Sequence, residues 1–273
     1  MRSPWVGLLL VASVCVILGW CARCKRLVSA RALKIYPKTQ PKIPRVVHFV
    51  YGLWDDFDSL PRAFRRNMED WHRQGFDVKL WNKERCEDLL HSRPEYGRIV
   101  DMYQSFKRNV QKADLIRYCI VYDQGGFYMD LDALPGDDSL FAHSASASKN
   151  AVFFVERIVG SAFARRQADV HPIREGLPEI EERIANYAFG CVPRHVSLLL
   201  VMNEVERRVK KFPMPTGDPD YYVIFTTGPS AVTRALQQVR HREDVHIFER
   251  PESRSLVRHK CTGTWRQAGD GGV

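Results

Sequence analysis

A chain of 273 residues with 45% hydrophobic and 11% aromatic content can bury a large core, which excludes a disordered or fibrous protein. Its net charge of +9 invites a nucleic-acid partner, but nine of the 41 basic residues lie in the first 45 positions, which hold no acidic one. The rest of the chain is formally balanced, so the surplus is a basic collar beside an apolar run and not a nucleic-acid surface.

Residues 1–4 form a short tail, and Trp5 to Cys21 is then a 17-residue stretch without a charge, followed by Arg23, Lys25 and Arg26. That length reaches the lower limit for crossing a bilayer, about 17–25 residues. Trp20-Cys21-Ala22-Arg23 is a poor match to a small-x-small cleavage site, so the segment reads as an uncleaved transmembrane signal-anchor. The flanking charges alone would leave the body on the cytosolic side. Residues 22–42, basic and Pro-containing, read as a stem.

From there the expected elements follow in order. Pro44 to Tyr51 is β-branched and aromatic and is bounded by Gly52, which predicts a strand. Ser59-Leu60-Pro61 predicts the start of a helix running to Trp71-His72-Arg73. Phe76–Trp81 predicts a strand, and Asn82 a cap for a helix over Lys83–His91. Lys107–Asp123 has apolar and polar positions recurring at three and four, and Gln124-Gly125-Gly126 stops it. Phe127 to Asp132 predicts a strand ending in two carboxylates. Ala151–Glu156 predicts a strand, His195–Lys211 a helix, Tyr221–Thr227 a strand, Pro229–Arg240 a helix and Val245–Glu249 a final strand. Strands alternating with helices predict an α/β domain.

Of the seven cysteines, the four spread through the body form no CxxC pair or finger spacing, which argues against structural zinc there. Cys15 and Cys21 belong to the apolar run and Cys24 follows it. Cys86, Cys119, Cys191 and Cys261 are open to being thiols or up to two disulfides.

The chemistry concentrates between Asp114 and Asp132. Asp130 and Asp132, two apart on an extended segment, would share a face. Two hard carboxylates suit Mg²⁺ or Mn²⁺ shared with substrate phosphates. A lone D-x-D is weak evidence, but here it follows a long helix, a Gly-Gly break and an aromatic strand. Asp114 and Arg117 lie one helical turn apart, as a structural ion pair or as a fork for sugar hydroxyls. His48 reads as a packed strand histidine and Trp71 and Trp81 as core. His171, His195, His241 and His246 show no ligand spacing.

Taken together, Ile43 to Gly52, Trp71, Trp81, Ala113 to Tyr118 and Tyr122 to Asp132 resemble the DXD sugar-transferases. That family includes fungal initiating mannosyltransferases, inositol-phosphoceramide mannosyltransferases and capsular glycosyltransferases, with the clostridial glucosylating toxins as distant relatives. Asn186, Thr227-Gly228-Pro229 and His259 with Gly263-Thr264-Trp265 extend the likeness over residues 43–265, leaving 266–273 as a tail. The resemblance implies a GT-A, Rossmann-like α/β domain, a Mn²⁺ (or Mg²⁺) cofactor, and retaining transfer of a hexose from GDP-mannose or a UDP-hexose to a glycan or glycolipid. It implies Asp132, Asp130 and His259 at the metal, with Asp130 also at the ribose. Asp114 and Arg117 would meet the donor sugar, and Val50, Tyr51 and Gly52 the base. Trp265 would lie on a loop closing over the pyrophosphate. Many members carry Trp where this chain has Tyr51, and Trp54 is a second candidate for the base platform. A single-pass, type II protein with a lumenal Golgi or ER body follows from that function.

Two other readings compete. A haloacid-dehalogenase-type phosphohydrolase also ends a strand in D-x-D, but near the domain start and before a hydroxyl residue, whereas Ala133-Leu134 follows here. A catalytically inactive sugar-binding protein is the other.

Overall fold

Val46–Val50 (β1), an apolar run interrupted only by His48, forms the second strand of a six-stranded sheet. Strands hydrogen-bonded on both edges and covered on both faces tend to such continuous apolar runs. The computed structural model describes residues 42–53, 60–158, 182–212 and 219–262. The signal-anchor, the stem up to residue 41, Trp54, His171 and Trp265 lie outside them. Among the described residues no helix is long and apolar enough to cross a membrane.

Helix α1 (Arg62–Arg73) leads from β1 to β2 (Asp77–Trp81), and the two strands pair in parallel, Val46 with Asp77 through Val50 with Trp81. Helix α2 (Lys83–His91) is capped as expected, Asn82 Oδ1 accepting from the Arg85 amide at 3.1 Å. A 3₁₀ turn (Pro94–Tyr96) and helix α3 (Gly97–Ser105) follow. Helix α4 (Asn109–Gln124) is the long helix expected from the sequence, and every residue from Ala113 to Val121 is buried. A helix buried all round has no amphipathic stripe, so its polar residues must find partners inside the protein.

Gly125 and Gly126 turn α4 into β3 (Gly126–Met129), with φ of 68° and 91°. A Cβ on Gly126 would stand 2.8 Å from Val46 O, too close to the neighbouring strand. β3 pairs in parallel with β1, which places β1 between its own successor and β3.

The strand ends at Met129 and does not run on to Asp132. The Ala133 amide bonds to Asp130 O at 2.8 Å, closing a turn in which the ladder to β1 gives way. β4 (Ala133–Pro135) then opens a second, two-stranded sheet. Asp130 and Asp132 are therefore brought together by a turn and not by the alternation of a strand.

Helix α5 (Leu140–Ser146) and β5 (Ala151–Ile158) follow. The ten-residue β6 (Glu182–Cys191), not expected from the sequence, runs antiparallel between β3 and β5. Helix α6 (Val196–Lys211) agrees with the sequence reading. Tyr221–Thr227 does not: Pro219–Thr226 is helix α7. Short apolar, β-branched runs suit a strand or a buried helix equally. Here Thr226 and Thr227 return their hydroxyls to the carbonyls of Tyr222 and Val223, four residues back, and the helix packs between α6 and α8. Helix α8 (Pro229–Leu236), β7 (Val245–Phe248), helix α9 (Arg250–Leu256) and β8 (Val257–His259) complete the described chain. The main sheet runs β2-β1-β3-β6-β5-β7, mixed, with β6 alone antiparallel to its neighbours. Cys86, Cys119 and Cys191 are buried thiols and Cys261 is exposed; none of the four is disulfide-linked.

Candidate functional site

From β1 the chain crosses through α1 to β2 on one side, and β3 lies on the other. The carboxyl ends of β1 and β3 thus flank a point where the strand order reverses, the place where open α/β sheets receive ligands. Val50, Tyr51 and Gly52 leave β1 there, and Asp130 and Asp132 follow β3. Tyr51 is half-buried, its amide bonded to Trp81 O at 2.9 Å and its ring edge-on to Phe64 of α1 at 6.4 Å. Gly52 takes φ 73°, which turns the chain away from the strand.

The second sheet supplies the third member of the cluster. β4 and β8 run antiparallel with Ala133 opposite His259, so the residue after Asp132 carries His259 back to it. His259 Nε2 lies 2.9 Å from Asp132 Oδ1, and the ring stacks on Tyr187 of β6 at 3.9 Å. Thr262 donates both its amide (3.0 Å) and its hydroxyl (2.8 Å) to Asp132 Oδ2. Burial works to raise the Asp132 pKa, but the hydrogen bond and charge of His259, joined by Thr262, outweigh it and hold the carboxyl at about 2. For His259, burial opposes protonation, yet Asp132 and Asp130 hold its pKa above the usual histidine value.

Asp130 accepts from Tyr128 OH at 2.7 Å and pairs with Arg117 Nη1 at 3.0 Å. Burial raises its pKa against the pull of Arg117 and His259. Asp130, Asp132 and His259 offer ligand atoms that all lie within 4.8 Å of one another, the one such metal-capable group among the described residues. Two carboxylate oxygens and one imidazole suit a divalent ion such as Mn²⁺, with positions left over for phosphate oxygens.

Asp114 and Arg117 form the adjoining layer. Arg117 Nη2 lies 3.1 Å from Asp114 Oδ1, and its guanidinium spans from Asp114 to Asp130 while lying over the Tyr128 ring. Asp114 also accepts from Asn186 Nδ2 (2.9 Å) and Thr227 Oγ1 (2.7 Å). Burial lifts Asp114 to about 6 despite Arg117 and those two donors. The structure therefore brings Asp114, Arg117, Asn186 and Thr227 together as a buried ion-pair network that touches the D-x-D pair through Arg117.

His48 is a packed histidine. The Trp81 indole N–H donates to Nδ1 at 3.0 Å, so Nε2 carries the proton and donates to Gly125 O at 2.9 Å. Burial pushes its pKa down to about 4. Sequence reasoning missed Tyr187 and Thr262, which lie on or beside elements without a local signal. It also missed Asn67, whose amide group reaches the D-x-D turn from α1. A separate cleft of about 540 Å³, lined by Lys79, Trp81, Arg85, Asp88 and Arg93 among others, holds none of these carboxylates.

Residues 61–146 match the family described as "Glycosyltransferase sugar-binding region containing DXD motif". That match agrees with the resemblance carried by the chain's own motifs. Among curated relatives, inositol phosphoceramide mannosyltransferase 1 of Schizosaccharomyces pombe is 34% identical over 101 residues, 35% of this chain and 30% of that protein. Mannosyl phosphorylinositol ceramide synthase CSH1 of Saccharomyces cerevisiae is 29% identical over 206 residues, 75% of this chain and 45% of that protein. The chain spans less than half the length of either relative. Of solved structures, the PaToxG glycosyltransferase is similar over 72% of this chain and 70% of its own, at a TM-score of 0.45 and 11% identity.

Proposed function

We propose that this chain is a metal-dependent, retaining hexosyltransferase of GT-A type that uses a nucleotide-diphosphate sugar and a glycan or glycolipid hydroxyl acceptor. The observation that carries it is the meeting of Asp130, Asp132 and His259 within 4.8 Å at the carboxyl end of β3. The mannosyl names of the relatives favour GDP-mannose over a UDP-hexose as donor.

Asp132, Asp130 and His259 would hold Mn²⁺ or Mg²⁺, which when bound neutralises the charge that grows on the departing diphosphate. The chain's own groups do the rest. Val50, Tyr51 and Gly52 take the base, and Asp130 meets the ribose. Arg117 holds Asp130 and Asp114 in register, so that Asp114 and Arg117 face the donor sugar. Trp265 closes over the pyrophosphate. The diphosphate is already a good leaving group, so no strong general acid is required, unlike in glycoside hydrolysis. The acceptor hydroxyl attacks the anomeric carbon on the face that the diphosphate leaves. Its proton passes to the departing phosphate oxygen, and the configuration is retained. Residues 43–265 are the catalytic domain, carried behind the stem (22–42) and the anchor (5–21) on the lumenal side of the secretory membrane.

Incubating the full chain with a panel of sugar nucleotides, with and without Mn²⁺, tests the reading. Release of nucleoside diphosphate from GDP-mannose in the Mn²⁺ arm is expected. Release from no member of the panel would support an inactive sugar-binding protein instead.

A further inference from the structure

Helix α1 lies outside the carboxylate cluster, yet two of its buried side chains end on the turn that carries it. Asn67 Nδ2 donates to Leu131 O and to Ala133 O, each at 2.9 Å, and Trp71 Nε1 donates to Ala133 O at 2.9 Å. Leu131 and Ala133 are the two neighbours of Asp132. Asn67 and Trp71 are 3% and 1% exposed, so water does not compete for these bonds.

We propose that Asn67 and Trp71 are positioning residues for the metal site, a clamp that fixes the D-x-D turn from behind; this rests on the metal reading above. Three features separate the clamp from ordinary core packing. Both donors converge on one carbonyl, Ala133 O, whose strand partner across β4 and β8 is His259. Shifting Ala133 would therefore displace Asp132 and His259 together. The backbone bonds of the turn serve its other members, the Asp130 amide donating to Tyr187 O, the Lys260 amide to Asp132 O and the Ala133 amide to Asp130 O, while Leu131 O takes its bond from Asn67. Finally, Asn67 Oδ1 is buried without a hydrogen-bond partner. An apolar side chain would pack at that position without leaving an acceptor unpaired, so what the amide contributes there is its donors. The same face of α1 places Phe64 against Tyr51, so one rigid helix backs both the end of β1 and the turn after β3.

The test measures Mn²⁺ affinity of the full chain by the EPR signal of the free ion, with melting temperature recorded on the same samples. Asn67→Ala removes two donated bonds, and Trp71→Phe keeps an aromatic ring, though a smaller one, while removing one. Tyr96→Phe, which deletes a buried bond to Cys119 O away from the site, serves as the control for destabilisation alone. A clamp predicts Mn²⁺ affinity lower by about tenfold in each of the first two variants, the scale of lost outer-shell support at a metal site. The control should keep its affinity whatever its melting temperature. Folded Asn67→Ala and Trp71→Phe proteins that bind Mn²⁺ like the wild type would overturn the clamp and leave the metal site standing. A wild-type chain that binds no Mn²⁺ would overturn both.

Discussion

Two carboxylate layers lie side by side in this protein and are built in opposite ways. The Asp114 and Arg117 side chains are 4% and 6% exposed, and both oxygens of Asp114 are taken by Arg117, Asn186 and Thr227. The Asp130 and Asp132 side chains are 29% and 12% exposed, and His259 is 17% exposed. Asp132 is held ionised at about 2, while burial lifts Asp114 to about 6. A satisfied inner layer resists exchange of its partners. An outer layer that is reachable, keeps Asp132 ionised and is built from two separate segments can give up a proton-bearing histidine contact for a cation. Arg117 joins the two, so the inner layer orients the outer one.

The largest expected effect comes from breaking the inner layer. Asp114→Asn leaves the guanidinium of Arg117 with Asp130 as its remaining carboxylate. Breaking a buried pair costs about 3–5 kcal/mol of stability, so a clear fall in melting temperature is expected. If the layer also faces the donor sugar, transfer should drop about tenfold to a hundredfold while the folded variant still binds bare nucleoside diphosphate with Mn²⁺. Loss of diphosphate binding in step with melting would reduce Asp114 to a structural role.

A smaller effect is expected in the middle of β1, where His48 is held neutral between Trp81 and Gly125. Its folded pKa of about 4 lies below the ordinary value of 6.5, so between these the unfolded chain binds the extra proton. Stability then rises with pH across that window and is lost as pH falls from about 6.5 to about 4, by about 3 kcal/mol in all. Urea unfolding of the wild type and His48→Gln should show this slope in the wild type and a flatter one in the variant. Equal slopes would remove His48 as the source.

The same contrast explains what the sequence could show. The inner helix was legible because its signals are local: apolar and polar positions recurring at three and four from Val110 to Tyr122, ended by Gly125-Gly126. The Asn82 cap, β1 and α6 were legible for the same reason. The outer layer depends on contacts that no window reveals. Thr262 meets Asp132 across a separation of 130 residues, and His259 arrives through a three-residue strand. His259 came from the family resemblance and not from any local pattern. β6, which supplies Asn186 and Tyr187, begins with charged residues and lacks clean alternation, so it gave no strand signal. The run at Tyr221 misled because tertiary packing, and not β-propensity, decides the state of a short apolar segment.

The central claim is that Asp130, Asp132 and His259 form a metal site serving a diphosphate leaving group. Its most direct test is calorimetric titration of GDP and of UDP into the full chain and into Asp132→Ala, each with Mn²⁺ and with excess EDTA. The account predicts binding by the wild type in Mn²⁺, its loss in EDTA, and no Mn²⁺-dependent binding by a folded Asp132→Ala. Equal nucleotide affinity in all four arms would contradict it.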